Sequence, residues 1–600
     1  MRKRLIPLLL VPVLVAGAAK TNSWRLFDKK LSNDKKTLHA LNRLTFGPRP
    51  GDLEALRKIG LKKWLDKQLH PERIPENPEL LAKLKPLDTL RMTTQDILAN
   101  YPPPQLLQAV ARGGRGALLP QDPVLRARAE RMAEMLKERR EGGAKPKNLD
   151  ELLDPDQVTL LRKGSESDKI QFLNDMPEEK LGPVIAALSP TIRRPLLARS
   201  ASGLQRKLLA STTPQQVIVY DLSEAKLLRA VYSSRQLEEV LVDFWYNHFN
   251  VFLDKGSDRF LVTAYERDAI RPHVLGKFQD LLLATAQDPA MLFYLDNWQS
   301  VTPPPVPVRR GRGPAAPARG LNENYARELL ELHTLGVDGG YTQQDIIAVA
   351  RCFTGWTIRE PFRTATFDYN DRVHDKGEKV VLGVTIPAGG GKEDGLKVLD
   401  ILAHHPSTAH FISLKLAQRF VADEPPPALV ERMAKTFREK DGDLREVMKT
   451  MLDSKEFWSQ GAWRTKMKSP LEMVASAIRA TGAEVSSAFA LSNQLQQLGQ
   501  PLYRKLEPTG YSSAGAEWTN SAALLARMNF GLALTQDRVP GLKVDPSRYE
   551  KLSEPGAIAK SILFTASSPE TAAAIAQNSK GAPAAKIAGL VIGSPEFQRR

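Results

Sequence analysis

Residues that could carry acid–base chemistry are concentrated between Asn322 and Gly336, in the stretch NENYARELLELHTLG. On a helix of about 100° per residue, His333 falls on the apolar side, and Glu328 lies at the boundary between the polar and apolar sides. From there the Glu328 carboxylate could reach a cleft as a general acid–base, with Arg327 holding an anion. The alternatives are a structural ion pair for Glu328 and a buried core position for His333.

A second polar group lies in residues 235–250, which read RQLEEVLVDFWYNHFN. The same helical construction places His248 among apolar residues, with Asn247 at their border. If this helix packs against the first, His248 and His333 would meet a carboxylate in a buried site, where pKa values shift. We therefore take Asn247 and His248 as candidate orienting groups for an acid–base at Glu328. The alternative places both histidines in the core.

Four further residues are candidates for ligand binding. Trp356 ends a helical pattern and could form an aromatic platform for a sugar, or could simply pack in the core. His374 and Asp375 are neighbours in a predicted turn, where they could serve as an acid–base pair or metal ligands, or make only local hydrogen bonds. Asn324 is the fourth, beside Glu328. HExxH, GxSxG and Walker sequences are absent, so the sequence indicates no particular metal or cofactor.

The elements that must position these residues are predicted to be mainly helical. The chain has 42% hydrophobic and 26% charged residues, which excludes full disorder, and its single cysteine excludes a disulfide framework. Alternation with period two is confined to one region, where Thr364–Tyr369 and Lys379–Ile386 are predicted to pair as strands. We therefore predict a mainly α fold: a multi-helical core with one small inserted β-hairpin, near 364–386.

Changes of composition along the 600 residues predict the domain organisation. Residues 1–18 combine a basic start, an apolar run and small residues, as a signal peptide does. Residues 101–235 are punctuated by proline and glycine, which predicts a charged helical insertion, and 302–320 read as a linker rich in proline and arginine. The helical core is assigned to the remaining segments: 19–100, 236–301, 321–470 and 471–600.

The signal peptide predicts export, to the periplasm, the cell surface or the medium, with no transmembrane span after its removal. The alternative is an uncleaved anchor. The formal net charge of +17 could suggest a nucleic-acid partner. However, the basic residues of 112–140 are interleaved with glutamates, as on a solvated helix, and no recognition motif occurs. We expect no nucleic-acid partner; an anionic envelope polymer or lipid headgroups fit the charge better.

Several stretches form a set that covers most of the chain: LNRLTFGP at 41–48, FWYNHF at 244–249, residues 322–340, FTGW at 353–356, HDKG at 374–377, residues 406–421, GQPLY at 499–503, PTGY at 508–511 and Trp518. Together they resemble the bacterial domain of unknown function 1800 family. Residues 101–235 depart from the resemblance, because they are longer than the family needs. The resemblance implies an exported, mostly helical protein with no established activity. Members are often encoded beside a second secreted family, similar to the sulfatase and alkaline phosphatase superfamily, which makes such a protein an expected partner.

Two classes of function remain open. The first is a non-catalytic binding or assembly factor of the envelope or extracellular space, whose charge and proline-rich loop dock a partner or polymer. The second is an exported hydrolase-like enzyme acting on such a polymer, which requires Glu328, Arg327, Asn247 and His248 to converge in one cleft. We prefer the first, because no known catalytic spacing occurs in the sequence.

Overall fold

The computed structural model describes residues 24–112, 148–199, 202–302, 320–552, 554–578 and 581–600, with single positions between 123 and 137. The predicted signal peptide at 1–18, nearly all of the predicted linker at 302–320 and most of 113–147 in the predicted insertion lie outside the described residues.

Helices dominate the described chain, which confirms the predicted fold class. Residues 24–302 contain α1 (Asn33–Leu44), α2 (Asp52–Ile59), α3 (Leu61–Leu69), α4 (Pro78–Leu84), α5 (Thr94–Asn100), α6 (Pro104–Ala111), α7 (Leu149–Leu152), α8 (Pro155–Lys163), α9 (Glu166–Asp175), α10 (Glu178–Ala187), α11 (Pro190–Arg199), α12 (Ser202–Thr212), α13 (Gln215–Tyr232), α14 (Gln236–His248), α15 (Asp258–Ala264), α16 (Phe278–Gln287) and α17 (Pro289–Tyr294).

The helices of residues 320–600 are α18 (Asn324–Glu328), α19 (Gln343–Cys352), α20 (Lys392–Ala403), α21 (Pro406–Phe420), α22 (Pro427–Glu439), α23 (Leu444–Leu452), α24 (Pro470–Thr481), α25 (Phe489–Gln497), α26 (Ser521–Thr535), α27 (Ser547–Glu550), α28 (Pro555–Leu563), α29 (Pro569–Asn578), α30 (Ala584–Gly593) and α31 (Pro595–Gln598). Two π-helical segments, Tyr265–Ile270 and Leu329–Thr334, continue α15 and α18. None of the described helices has the length and apolar composition that a membrane crossing requires.

The strands pair differently from the prediction. β1 (Trp356–Arg359) pairs antiparallel with β2 (Thr366–Tyr369), and β3 (Lys379–Val381) with β4 (Val384–Ile386). Leu382 and Gly383 have φ angles of 50° and 80°, so they form a two-residue turn inside the run 379–386. That run therefore folds back on itself instead of pairing with 364–369. A third small sheet joins β5 (Glu484–Val485) to β6 (Leu542–Lys543).

One large hydrophobic core extends from Phe27 to Phe597 and takes side chains from helices throughout the described chain. A separate cluster occupies Leu149–Leu204, within the segment predicted as an insertion. By contrast α13, which the same prediction assigned to 101–235, is buried in the large core. The core therefore brings together helices that are far apart in sequence.

Helix α19 begins with a capping box. The Thr342 hydroxyl accepts a hydrogen bond from the Asp345 N–H at 3.3 Å, and the Asp345 carboxylate accepts one from the Thr342 N–H at 2.8 Å. Two backbone donors that a helix start leaves without partners are thereby satisfied.

We expect Thr342→Ala to lower the free energy of unfolding by about 1 kcal/mol, because the Asp345 N–H loses its acceptor. Thr342→Ser keeps the hydroxyl and should unfold at nearly the wild-type urea concentration. Urea denaturation followed by circular dichroism compares the three proteins. Equal losses for the alanine and serine variants would show that the cap contributes nothing.

Candidate functional site

A cavity of about 730 Å³ lies between α14, α21, the start of α24 and the loop 499–518. Its lining includes Phe244, Asn247 and His248 from α14 and Lys415 from α21. The loop contributes a wall with polar and aromatic side chains, among them Tyr503, Thr509, Tyr511, Ser512 and Trp518. Stretches that carried the family resemblance, at 244–249, 406–421, 499–503 and 508–511, thus meet at one place.

The end of α14 holds this loop through side-chain amides. The Asn247 Nδ2 donates to the Tyr511 carbonyl at 2.8 Å, and its Oδ1 accepts from the Tyr511 N–H at 2.6 Å. The Asn250 Nδ2 donates at 3.0 Å to the carbonyls of both Lys505 and Glu507. Because the Asn247 amide is engaged on both sides, it positions the cavity wall instead of orienting a ligand.

Gly510 allows the loop to approach α14 this closely. Its φ is +68°, in the left-handed region, and a Cβ there would lie 2.1 Å from the carbonyl oxygen of Asn247. Only glycine fits this position without moving the wall.

A buried ion network lies beneath the cavity. The Lys226 Nζ lies 3.1 Å from Asp243 and 3.7 Å from Glu266, and the Tyr503 hydroxyl donates to Glu266 at 2.7 Å. Burial alone would raise the pKa of Glu266, but the charges of Lys226 and Arg271 outweigh it and lower that pKa below its usual range. The Lys226 charge is therefore matched by carboxylates.

Other cations of the lining also have carboxylate partners. Arg419 and Arg600 both contact Glu472, at 2.5 and 3.1 Å, and Lys505 lies 2.8 Å from Glu507. These pairs leave little free positive charge on that side of the cavity.

Lys415 differs from these cations. Within the described part of the chain, no carboxylate lies within 4.0 Å of its Nζ, which sits 5.6 Å from the centroid of the Phe411 ring. Burial lowers the pKa of the Lys415 ammonium, and no neighbouring charge opposes that shift. A partly desolvated cation in a cavity wall is a ready partner for an anion.

His248 lies beside His333, with 6.2 Å between the ring centroids. The His248 Nε2 lies 3.1 Å from the His333 carbonyl, which can only accept, so Nε2 carries the hydrogen and Nδ1 is an acceptor. Burial, and then the Lys415 charge, hold the pKa of His248 well below its usual range. Burial also lowers the pKa of His333 to about 3. Among the described residues, no carboxylate forms an ion pair with either ring.

The residues predicted around Glu328 lie outside the lining of this cavity. Arg327 contacts Glu323 at 3.3 Å and Gln343 at 3.2 Å, on an exposed surface. Asn324 is also exposed and begins α18. Burial, followed by the charge of Glu331, raises the pKa of Glu328. The structure therefore does not bring Glu328 and Arg327 to the cavity that Asn247 and His248 line.

Trp356 is buried, with its ring 4.9 Å from that of Phe353 and against Gly395, so it packs in the core and offers no sugar platform. The predicted pair His374 and Asp375 belongs to a separate polar cluster.

The cluster around His374 is buried. The His374 Nε2 lies 3.1 Å from Asp394, and the fully buried Lys379 ammonium donates to the same carboxylate at 2.7 Å. Asp375 forms a bidentate pair with Arg351, at 2.8 and 3.0 Å. No group of three or more His, Cys, Asp or Glu side chains arranged for a metal ion occurs among the described residues. This arrangement suits a structural ion network.

Sequence reasoning missed Lys415 and the loop 499–518. The loop had a usable signal, because its GQPLY and PTGY stretches belonged to the resemblance. Lys415 also lies in a stretch of the resemblance, 406–421, but nothing distinguished it there, since a lysine within an amphipathic helix normally faces water.

We expect Asn247→Ala to speed hydrogen exchange of the Tyr511 amide and to cost about 1–3 kcal/mol of stability, because buried backbone groups lose their partners. Hydrogen exchange read by mass spectrometry over peptides spanning 503–515 measures the effect. Asn578→Ala is the control, because the Asn578 side chain is exposed and bonds only within its own helix. Unchanged exchange in Asn247→Ala would contradict the positioning role.

We expect Asp394→Asn to destabilise the protein by about 3–5 kcal/mol, because it leaves the Lys379 ammonium buried without its carboxylate. Asp371→Asn is the matched control: it breaks an exposed contact with Lys376 and should leave stability near the wild-type level. Thermal unfolding of both variants and of the wild-type protein measures the difference in stability. A stable Asp394→Asn protein would leave His374 and Asp394 without a structural role.

The sequence comparisons bear on the set of motifs that meets at the cavity. No curated protein and no solved structure matches the chain significantly. Residues 39–599 match the family described as "Protein of unknown function (DUF1800)". The resemblance inferred from the motifs is thus confirmed, and the chain belongs to the DUF1800 family.

Proposed function

We propose that the protein is an exported binding factor that holds a segment of an anionic envelope polymer in the cavity between α14, α21 and the loop 499–518. The observation that carries this proposal is the chemistry of the cavity lining. Amide and hydroxyl side chains stand beside aromatic rings, and basic residues outnumber acidic ones. The basic residues are Lys226, Lys415, Arg419, Lys505 and Arg600, and the acidic ones are Asp243, Glu472 and Glu517.

The size and rim of the cavity suit a piece of a longer chain. Ligand cavities commonly measure about 300–1,000 Å³, and this one lies within that range. Thr509, Ser512, Ser513 and Glu517 line it and are exposed, so they form a polar rim. A polymer could therefore leave the cavity over this rim without burying unpaired polar groups.

The hydrolase alternative has less support. It requires Glu328 and Arg327 to lie in one cleft with Asn247 and His248. The Asn247 amide instead bonds the backbone of Tyr511 in the cavity wall. Export and the envelope location belong to the proposal, as does a secreted partner similar to the sulfatase and alkaline phosphatase superfamily.

We expect the protein without its predicted signal peptide, residues 1–18, to be retained on a column of an immobilised anionic polysaccharide. It should pass through a column of a neutral polysaccharide of equal chain length. Retention should fall as salt rises from about 0.05 to 0.5 M, because salt screens interactions between charges. Equal retention on both columns would refute the proposal. Chromatography of the eluted polymer tests the alternative, since shortened chains would mean that the protein is a hydrolase.

A further inference from the structure

We propose that the cavity recognises a sugar residue whose anionic substituent binds the Lys415 ammonium while an adjacent hydroxyl donates to Nδ1 of His248. This assignment rests on the proposed function and specifies the ligand unit that the proposed function leaves open.

The anionic substituent is inferred from the state of Lys415. Lys226, Arg419, Lys505 and Arg600 line the same cavity, and each has a carboxylate within ion-pair distance. The Lys415 ammonium has three donors, and within the described chain it contacts only the face of the Phe411 ring. A ligand anion would therefore supply the missing partner.

The hydroxyl is inferred from the tautomer of His248. Its Nε2–H donates to the His333 carbonyl, the one hydrogen bond that the His248 ring makes to the described residues, and this leaves Nδ1 as an acceptor. The lowered pKa of His248 keeps the ring neutral near pH 7. The Nδ1 lone pair would repel an anion in addition to the one at Lys415, but it accepts a hydrogen bond from a hydroxyl.

One aromatic side chain keeps the two groups close together. The Lys415 Nζ lies 5.6 Å and the His248 ring 6.2 Å from the centroid of the Phe411 ring. The Phe244 ring stacks on His248 at 6.3 Å and 17°, and it also lines the cavity. A cation and a neutral acceptor flanked by an apolar ring complement an acidic sugar, which carries an anion, hydroxyls and C–H faces.

Calorimetric titration of the processed protein tests the assignment. The probes are a uronic-acid trisaccharide, the neutral trisaccharide of the same linkage and a phosphorylated sugar. We expect the wild-type protein to bind an acidic probe. Preference between the first and third probes then distinguishes a carboxylate from a phosphate.

Lys415→Met keeps the aliphatic stem and removes the charge, so it should weaken binding of the acidic probe at least tenfold, about the value of one charge-assisted hydrogen bond. Lys415→Gln is a second variant in case the first folds poorly. Lys397→Met is the matched control, because Lys397 pairs with Asp400 on the exposed surface of α20, outside the cavity. It should bind like the wild type.

His248→Gln can keep a donor toward the His333 carbonyl while it removes the Nδ1 acceptor. We expect about tenfold weaker binding of the acidic trisaccharide and no further loss when the hydroxyls next to the carboxylate are methylated, because those hydroxyls then have no acceptor to lose.

The outcomes separate the two proposals. If the wild-type protein binds no acidic probe, the proposed function fails together with this assignment. If the wild type binds and a folded Lys415→Met protein binds equally well, the assignment alone is overturned. Equal weakening by Lys397→Met would also overturn it, because the effect would then be one of overall charge.

Discussion

The cavity depends on one constraint, the pairing of the Asn247 side chain with the backbone of Tyr511. The two residues are 264 positions apart, yet the amide meets both the N–H and the carbonyl of Tyr511, as a neighbouring strand would. Just beyond the end of the helix, the Asn250 Nδ2 donates to the carbonyls of Lys505 and Glu507. The end of a helix thereby supports a loop whose one regular element is the short 3-10 helix Gly515–Trp518.

The basic side chains around the cavity differ in whether a carboxylate neutralises them. Lys226 forms ion pairs with two carboxylates, those of Asp243 and Glu266. Glu472 similarly serves both Arg419 and Arg600. Burying an ion without a partner is costly, so these networks stabilise the positions of the helices that carry them. Lys415 differs, because no carboxylate of the described residues lies within 4.0 Å of its ammonium, whose charge acts on His248. Within the described lining, Lys415 is thus set apart from the paired cations that support the cavity.

The sequence was a good guide to features that depend on neighbouring residues. The apolar setting of His248 and His333, for example, follows from helical periodicity. The predicted strand pairing was wrong, because the turn at Leu382 and Gly383 lets residues 379–386 pair with themselves instead of with 364–369. The site was only half predicted: Asn247 and His248 line the cavity, but Glu328 lies away from it. Which helices meet is decided by long-range packing of the core, which periodicity does not encode.

The two sides of the cavity are synthesised at different times, because they are far apart in the sequence. A chain is made from its N-terminus, and α14 emerges about 250 residues before the loop that completes the wall. Contacts of such long range form late in folding, because closing a long loop has to be compensated by many other contacts. The nascent protein therefore has no finished cavity until residues 499–518 are available. Synthesis thus delays completion of the cavity until these residues have been made.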